Sequence, residues 1–551
     1  MLQKFLFYSC FFLLIACSNK QKPGLAKYIP KETALVLVIN SPMLMDKIKT
    51  NAFIKLDSVL KDMLTKKDND YFRNQFEEFN ECIDLKEKLY LFVSPKTIMG
   101  KSTASINFMG LLKDGEKLEA TLKNNKDWKS LSITKKEYFT YALIENKFEV
   151  SWNKEVVIFS LNPEKDKKEY DFKTHTAQFI PADTTALLKQ VTKYYSLAEN
   201  ETIASIKQFN ELQKESADLY TFSNSSFLTT YTSQLTIQPV RLDSFVSNNY
   251  YAATINFDRG KVVLNGTIYL NDALKNLTKR YAGGIVNTDL LDKYPSANVN
   301  SFILPSFNPA IFEGLIKDMD IAAITDVLLQ KAGISKEDIT QSISGDLSVV
   351  FSDFSISNKG TNNNCIVMAG IHNKISVDKL LGLTSSVGFL SRKGDDYTIN
   401  ASLPILGTLH ADQSKLLYSS STPFYNLYLA GKTKNNIPED IKQAVKGKTS
   451  AGYINFDSYL SGVDDVVLNE MSPTGKEVKS LLKSTLKDAF VSSDNNKEGI
   501  IKTHGELRLK DTAENSLLQL HNMTMHISEK VSQGRKETDN NLIDKVPPSH
   551  H

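Results

Sequence analysis

Apolar residues recur along this chain at two periods. In Phe148-Glu149-Val150-Ser151-Trp152 they alternate with polar ones, which predicts a strand buried on one face. The runs 250–257 and 261–270 read as strands flanking Asp258-Arg259-Gly260, a three-residue hairpin loop in which the glycine supplies a positive φ. Elsewhere the period is that of a helix. Phe72, Phe76 and Phe79 stand at i, i+4 and i+7 within 70–82 and form one stripe. The segments 43–63, 184–216 and 309–329 read as further helices. Strand runs at 138–161 and 397–419 are joined by short turns. This implies antiparallel sheets with helices packed on one face, an α+β fold. The tail 531–551 is polar, carries Pro547-Pro548 and reads as disordered.

These elements occur twice. Tyr28 and the strand 35–39 have their counterparts in Tyr294 and the run from Val299 to Leu304. Leu89–Ser94 lines up with Leu347–Ser352, and Ile106–Leu112 with Cys365–Ile371. Each of the latter pair is followed by a helix with apolar residues at one spacing, Leu118 and Leu122 in one copy and Val377 and Leu381 in the other. Gly260–Leu270 resembles Gly499–Leu509, and each runs on towards a helix. The offset falls from 266 at Tyr28 and Tyr294 to 239 at Gly266 and Gly505, a loss that surface loops absorb. The order of four pairings predicts two homologous repeats, 25–290 and 291–530, each near the size at which one core stops growing.

The N-terminus has a different pattern. Met1-Leu2-Gln3-Lys4 precedes an apolar stretch from Phe5 to Ala16, and Cys17 follows. A short basic region before 7–15 apolar residues is an export signal, and this one is too short to span ~30 Å of hydrocarbon. Leu14-Ile15-Ala16-Cys17 has the form of a lipobox. The Cys17 thiol is the nucleophile that takes the diacylglycerol, and the small Ala16 permits cleavage before it. Residues 1–16 are therefore read as a lipoprotein signal peptide and 17–24 as lipidated cysteine and tether. Two or three acyl chains anchor stably where one does not. Ser18, with no acidic residue beside it, favours the periplasmic face of the outer membrane over the cell surface.

The opening turn Tyr28-Ile29-Pro30-Lys31-Glu32-Thr33-Ala34, leading into Val38-Ile39-Asn40, resembles the start of a Bacteroidetes lipoprotein family catalogued as domain of unknown function 4836. The resemblance implies an envelope location and carries over no catalytic residue. Phe179-Ile180-Pro181-Ala182-Asp183-Thr184 echoes the same turn.

Composition narrows the chemistry. Of 551 residues, 41% are hydrophobic and 23% charged, as in ordinary globular chains, and the net charge of +3 gives no phosphate-tracking surface for nucleic acid. Four cysteines cannot build a disulfide scaffold; Cys82 and Cys365 can pair in an oxidising compartment or remain buried thiols. Gly100-Lys101-Ser102-Thr103 mimics the end of a phosphate-binding loop, but Pro95 stands where the first glycine must be. His521 and His526 are five apart, one too many for a shared helical face, and His175, His372, His410 and His504 are scattered. Asp395-Asp396 and Asp464-Asp465 read as turn residues, and Trp128 and Trp152 as core. No catalytic, cofactor or metal set emerges. The expected function is binding or scaffolding at the envelope, with the membrane as one partner through the lipid and an envelope protein as another. The alternatives are a glycan or peptide hydrolase with a site assembled from distant residues, and a lipid or lipoprotein carrier.

Overall fold

The computed structural model describes residues 24–48, 81–98, 101–125, 130–146, 148–161, 167–171, 176–180, 184–229, 242–400, 407–431 and 435–543. Ala16, Cys17, the phenylalanine stripe at 72–79, Trp128, His175 and the end of the tail at 544–551 lie outside them. The chain is α+β, its strand ladders are antiparallel, and it divides into two compact units.

The first unit takes the described residues up to Leu44 and those from 81 to 229. Its strands are β1 (Leu35–Ile39), β2 (Leu89–Ile98), β3 (Lys101–Leu111), β4 (Leu131–Lys135), β5 (Thr140–Ile144), β6 (Phe148–Trp152) and β7 (Val156–Leu161). A separate hairpin, β8 (Lys167–Asp171) and β9 (Thr176–Ile180), follows, and then β10 (Leu219–Asn224). The sheet order is β10–β1–β2–β3–β7–β6–β5–β4. Helix α1 (Ser41–Ile48) accounts for the start of the helix expected from Met43. Helix α2 (Gly115–Asn124) is capped by Asp114, whose carboxylate accepts the Lys117 N–H at 2.9 Å, and buries Leu118 and Leu122 one turn apart.

The segment 184–216 is not one helix. Helix α3 (Thr185–Tyr194) buries Leu187, Val191 and Tyr194, then two short 3-10 turns intervene before α4 (Lys207–Leu212). The interruption has a local cause. The hydroxyls of Ser196, Thr202 and Ser205 donate back to carbonyls three or four residues earlier, in competition with the helix. The backbone there is spent elsewhere: Lys31 N–H donates to Glu201 O at 2.8 Å and Ile203 N–H to Ile29 O at 2.9 Å.

The second unit holds β11 (Tyr250–Asp258), β12 (Lys261–Tyr269), β13 (Val299–Pro305), β14 (Ile343–Ser357), β15 (Gly360–Ile371), β16 (Leu390–Lys393), β17 (Asp396–Ile399) and β18 (Thr408–Ala411). It is completed by β19 (Lys415–Ser419), β20 (Ser450–Asn455), β21 (Leu486–Ser493) and β22 (Ile500–Leu509). The order is β11–β12–β22–β21–β20–β13–β14–β15–β19–β18–β17–β16. The hairpin β11–β12 thus falls with the second unit, where the sequence reading closes a repeat at 290. The reason is the ladder of β12 on β22, from Lys261 opposite Arg508 to Tyr269 opposite Ile500. Asp258 itself pairs with Lys261, so the turn is Arg259-Gly260 alone. Gly260 has φ +67°, and a Cβ there would stand 2.6 Å from the Thr512 Cα.

Two further expectations change. The helix read over 309–329 is two, Ile311–Asp318 and Ala322–Lys331, separated where Asp320 takes φ 60°. The tail expected to be disordered from 531 is helical as far as Ile543, within the helix Ser516–Ile543. The core of the second unit gathers Leu290, Tyr294, Phe302, Val350, Ile366 and Tyr453 from strands and covering segments.

A tyrosine-lined cleft over a polar sheet face

In the first unit, β2 presents Lys88, Tyr90, Phe92 and Ser94 on one side, since alternate residues of a strand share a face and Lys88 immediately precedes it. Tyr90, at the near end, and Lys88 border a cleft of about 970 Å³. Its other walls come from Lys27 and Tyr28, from Tyr194 and Tyr195 at the end of α3, and from Phe209 and Gln213 in and after α4. Ser94, at the far end, borders a second cleft of about 590 Å³ with Thr33, Gln190 and Lys193. Tyr194 lines both, and its ring meets Phe92 edge-on with centroids 5.4 Å apart.

The walls are held by ring packing and hydrogen bonds. Tyr195 stacks on Phe139 at 4.4 Å and meets Tyr28 at 5.6 Å. The Tyr28 hydroxyl donates to Glu155 Oε2 at 3.0 Å and accepts from Asn153 Nδ2 at 3.0 Å. Lys27 donates to the same Glu155 oxygen at 2.6 Å. Burial alone would lower the Lys27 pKa, but the hydrogen bond and charge of Glu155 outweigh it and raise it. Burial pushes Tyr90 and Tyr194 up to about 12, so both stay neutral phenols. Lys88 moves the other way: burial lowers it.

Beneath α3 the sheet face is polar. Across the strands, Phe92 stands opposite Asn107, Asn107 opposite Ser160 and Ser160 opposite Glu149. Ser94 and Ser105 form a second pair on the same face. Phe148–Trp152 therefore corrects the one-sided strand read from its alternation: Glu149 and Ser151 are fully buried. Among the described residues neither Glu149 oxygen has a partner in full hydrogen-bond geometry, nor do the hydroxyls of Ser94, Ser151, Ser160 and Tyr195. Burial raises Glu149 to about 8, against the weaker pull of the Ser151 and Ser160 hydroxyls beside it. Its folded form is the neutral acid at pH 7. A row of buried polar groups without partners is where ordered water or a ligand group belongs.

None of these residues stands out in the sequence as a site. Ser105, Asn107 and Ser160 alternate with apolar neighbours and read as solvent-facing positions. The available signal is the doublet Tyr194-Tyr195 at the end of an amphipathic helix.

The residues singled out in the sequence are dispersed. Cys82 is buried, Cys365 half-buried, and both are free thiols. His410 Nδ1 lies 2.8 Å from Asp396 Oδ1, and His504 Nδ1 lies 2.8 Å from Asn265 Oδ1. Asp464 caps the helix Asp465–Met471 through the Val466 N–H at 2.8 Å, and Asp465 pairs with Lys479 at 2.8 Å. Trp152 is buried and would touch a Cβ added at Gly115. Among the described residues no group of three or more His, Cys, Asp and Glu side chains could hold a metal ion, and no helix is long and apolar enough to cross a membrane.

No family model matches the chain, and no curated protein matches it. Among solved structures it is similar to crystal form IV of TP0453, at 8% identity and TM-score 0.25 over 47% of this chain and 85% of that one. Crystal form I of TP0453 gives 11% identity and TM-score 0.24 over 48% and 88%. At these scores the likeness carries no argument.

Proposed function

We infer that this is a lipid-anchored protein of the cell envelope, held at the outer membrane through Cys17, that acts by binding a small ligand in the larger cleft of its first unit. The observation that carries the binding reading is that cleft: about 970 Å³ walled by four tyrosines, with Lys88 at one end. The anchor rests on the lipobox, and the periplasmic face on Ser18. The resemblance of the opening turn 28–40 to the domain of unknown function 4836 family implies the same envelope location.

The inference includes descent by duplication. Counted across the sheet, one row of the first unit reads Phe222, Val36, Phe92, Asn107, Ser160, Glu149. The corresponding row of the second reads Tyr453, Phe302, Val350, Ile366, Ser419, Thr408. Supporting the inference, Phe92 and Val350 fall in the same register that Leu89–Ser94 and Leu347–Ser352 give by sequence alone. Asn107 with Ile366, and Val36 with Phe302, agree in the same way.

A hydrolase reading has one observation in its favour, the raised pKa of Glu149, which suits a general acid. The groups acting on it are hydroxyls, with no second carboxylate among them. Binding is the better reading.

Two experiments test it. Cys17→Ala should move the protein from the membrane fraction to the soluble one; retention on the membrane would end the anchor. A neutral aromatic probe, N-phenyl-1-naphthylamine, should bind the full chain and lose affinity in Tyr90→Ala. Binding that ignores Tyr90 would end the cleft.

A further inference from the structure

The three ammonium groups lining the larger cleft are not alike. Lys27 is bonded to Glu155 at 2.6 Å and Lys214 to Glu211 at 2.9 Å. Lys88 has no carboxylate partner among the described residues. Its Nζ donates to the amide oxygen of Gln213 at 2.9 Å and stands 4.5 Å over the Tyr220 ring. An ammonium has three donor hydrogens, so two remain unspent. Gln213 spends its oxygen on the lysine. The unspent capacity at this end of the cleft is thus that of the Lys88 ammonium itself, a positive charge with no carboxylate on it among the described residues. Lys88 and Tyr90 lie two residues apart and face the same way, so the charge sits beside the aromatic wall.

We propose that the Lys88 end of the cleft is an anion subsite, which takes the carboxylate, sulfonate or phosphate of a small ligand whose flat apolar body lies against Tyr90, Tyr194, Tyr195 and Phe209. The proposal rests on reading the cleft as a binding site. A half-buried ammonium recovers the solvation it has lost when an oxyanion replaces water, and charge-assisted hydrogen bonds are the strong ones. A cationic ligand would meet like charge and donors facing donors. An inorganic anion would satisfy Lys88 but leave the aromatic walls uncovered, so both parts of the ligand are needed for affinity.

The test uses the full chain and two fluorescent probes of similar body. One, 1-anilinonaphthalene-8-sulfonate, carries an anion; the other, N-phenyl-1-naphthylamine, is neutral. Lys88→Met should weaken the sulfonate about tenfold, the worth of a hydrogen bond to a charged group, and change the neutral probe less than about twofold. Gln213→Glu gives Lys88 an internal counter-ion while leaving the lysine in place. It should weaken the sulfonate by a similar factor without lowering the unfolding temperature, which separates loss of the subsite from loss of the fold. If the sulfonate binds equally well to the parent and to both variants while Tyr90→Ala still weakens the neutral probe, the anion subsite is wrong and the cleft survives. Equal losses for both probes in Lys88→Met and in Gln213→Glu also overturn the subsite. If neither probe responds to Tyr90→Ala, both readings fall together.

Discussion

Two buried carboxylates, one in each unit, are handled in opposite ways. In the second, Asp488 is 2% exposed and lies against Arg508, whose Nη2 donates to it at 2.8 Å. Tyr294 donates to Val350 O at 3.2 Å or Ser352 Oγ at 3.1 Å, Asn300 donates to Ser458 Oγ at 2.6 Å, and Ser458 donates to Asn298 Oδ1 at 2.7 Å. In the first, Glu149 is as deeply buried as Asp488, and the groups acting on it are the Ser151 and Ser160 hydroxyls, with no cation among the described residues. Thr408 of the second unit is hydrogen-bonded to Thr422 at 2.8 Å. The second unit pairs its buried carboxylate, although among the described residues the Tyr453, Thr503 and Ser516 hydroxyls in it are buried without a partner. The first carries a standing cost on the sheet face that lies under its cleft, and cost kept at a site is the ordinary sign of function over stability.

The comparison can be broken most forcefully from the second unit. Arg508→Met would leave Asp488 buried and unpaired, as Glu149 is. The expected loss is about 3–5 kcal/mol at neutral pH, read by denaturant unfolding. A loss below about 1 kcal/mol would mean that water reaches Asp488 and that the two units are not so different. The next effect lies in the first unit and depends on pH. The Glu149 pKa is raised on folding, so between about pH 4.5 and 8 the unfolded chain has released a proton that the folded one keeps. Stability therefore falls as pH rises through that window, by about 1.4 kcal/mol per unit, and levels off above it. Glu149→Gln removes this loss. Its unfolding temperature should match the parent near pH 4 and exceed it increasingly up to pH 8, with about 3 kcal/mol gained at pH 7. A difference that does not vary with pH would show an ionised Glu149 in the fold. The smallest contrast sharpens the rest. Tyr294→Phe should cost about 1 kcal/mol for the lost hydrogen bond, whereas Tyr195→Phe should cost nothing measurable by the same unfolding assay.

The sequence and the structure agree best where register is set by apolar strands. The apolar runs 89–94, 106–111, 347–352 and 365–371 all lie in antiparallel ladders. Period-two runs carry that information because a slip of one residue would turn every side chain over. Helix continuity was less legible. Nothing in the periodicity of 184–216 betrays that Ser196, Thr202 and Ser205 turn on their own backbone, or that Asp320 adopts a left-handed conformation. The cleft was not legible at all. Glu149 and Asn107 follow the alternation of a solvated face, and only α3 laid over them makes that face interior. Lys88 is one lysine among many until Gln213, 125 positions later, is brought to it.

The ladder between β12 and β22 joins residues 239 apart at Asn265 and His504. Synthesis delivers the hairpin early and its partner near the end. While residues 270–499 are being made, one long edge rich in β-branched and aromatic residues has no neighbour, an adhesive surface towards other nascent chains. Closing that seam is a late and slow step of folding, and the interval before it is when a holding chaperone would matter most.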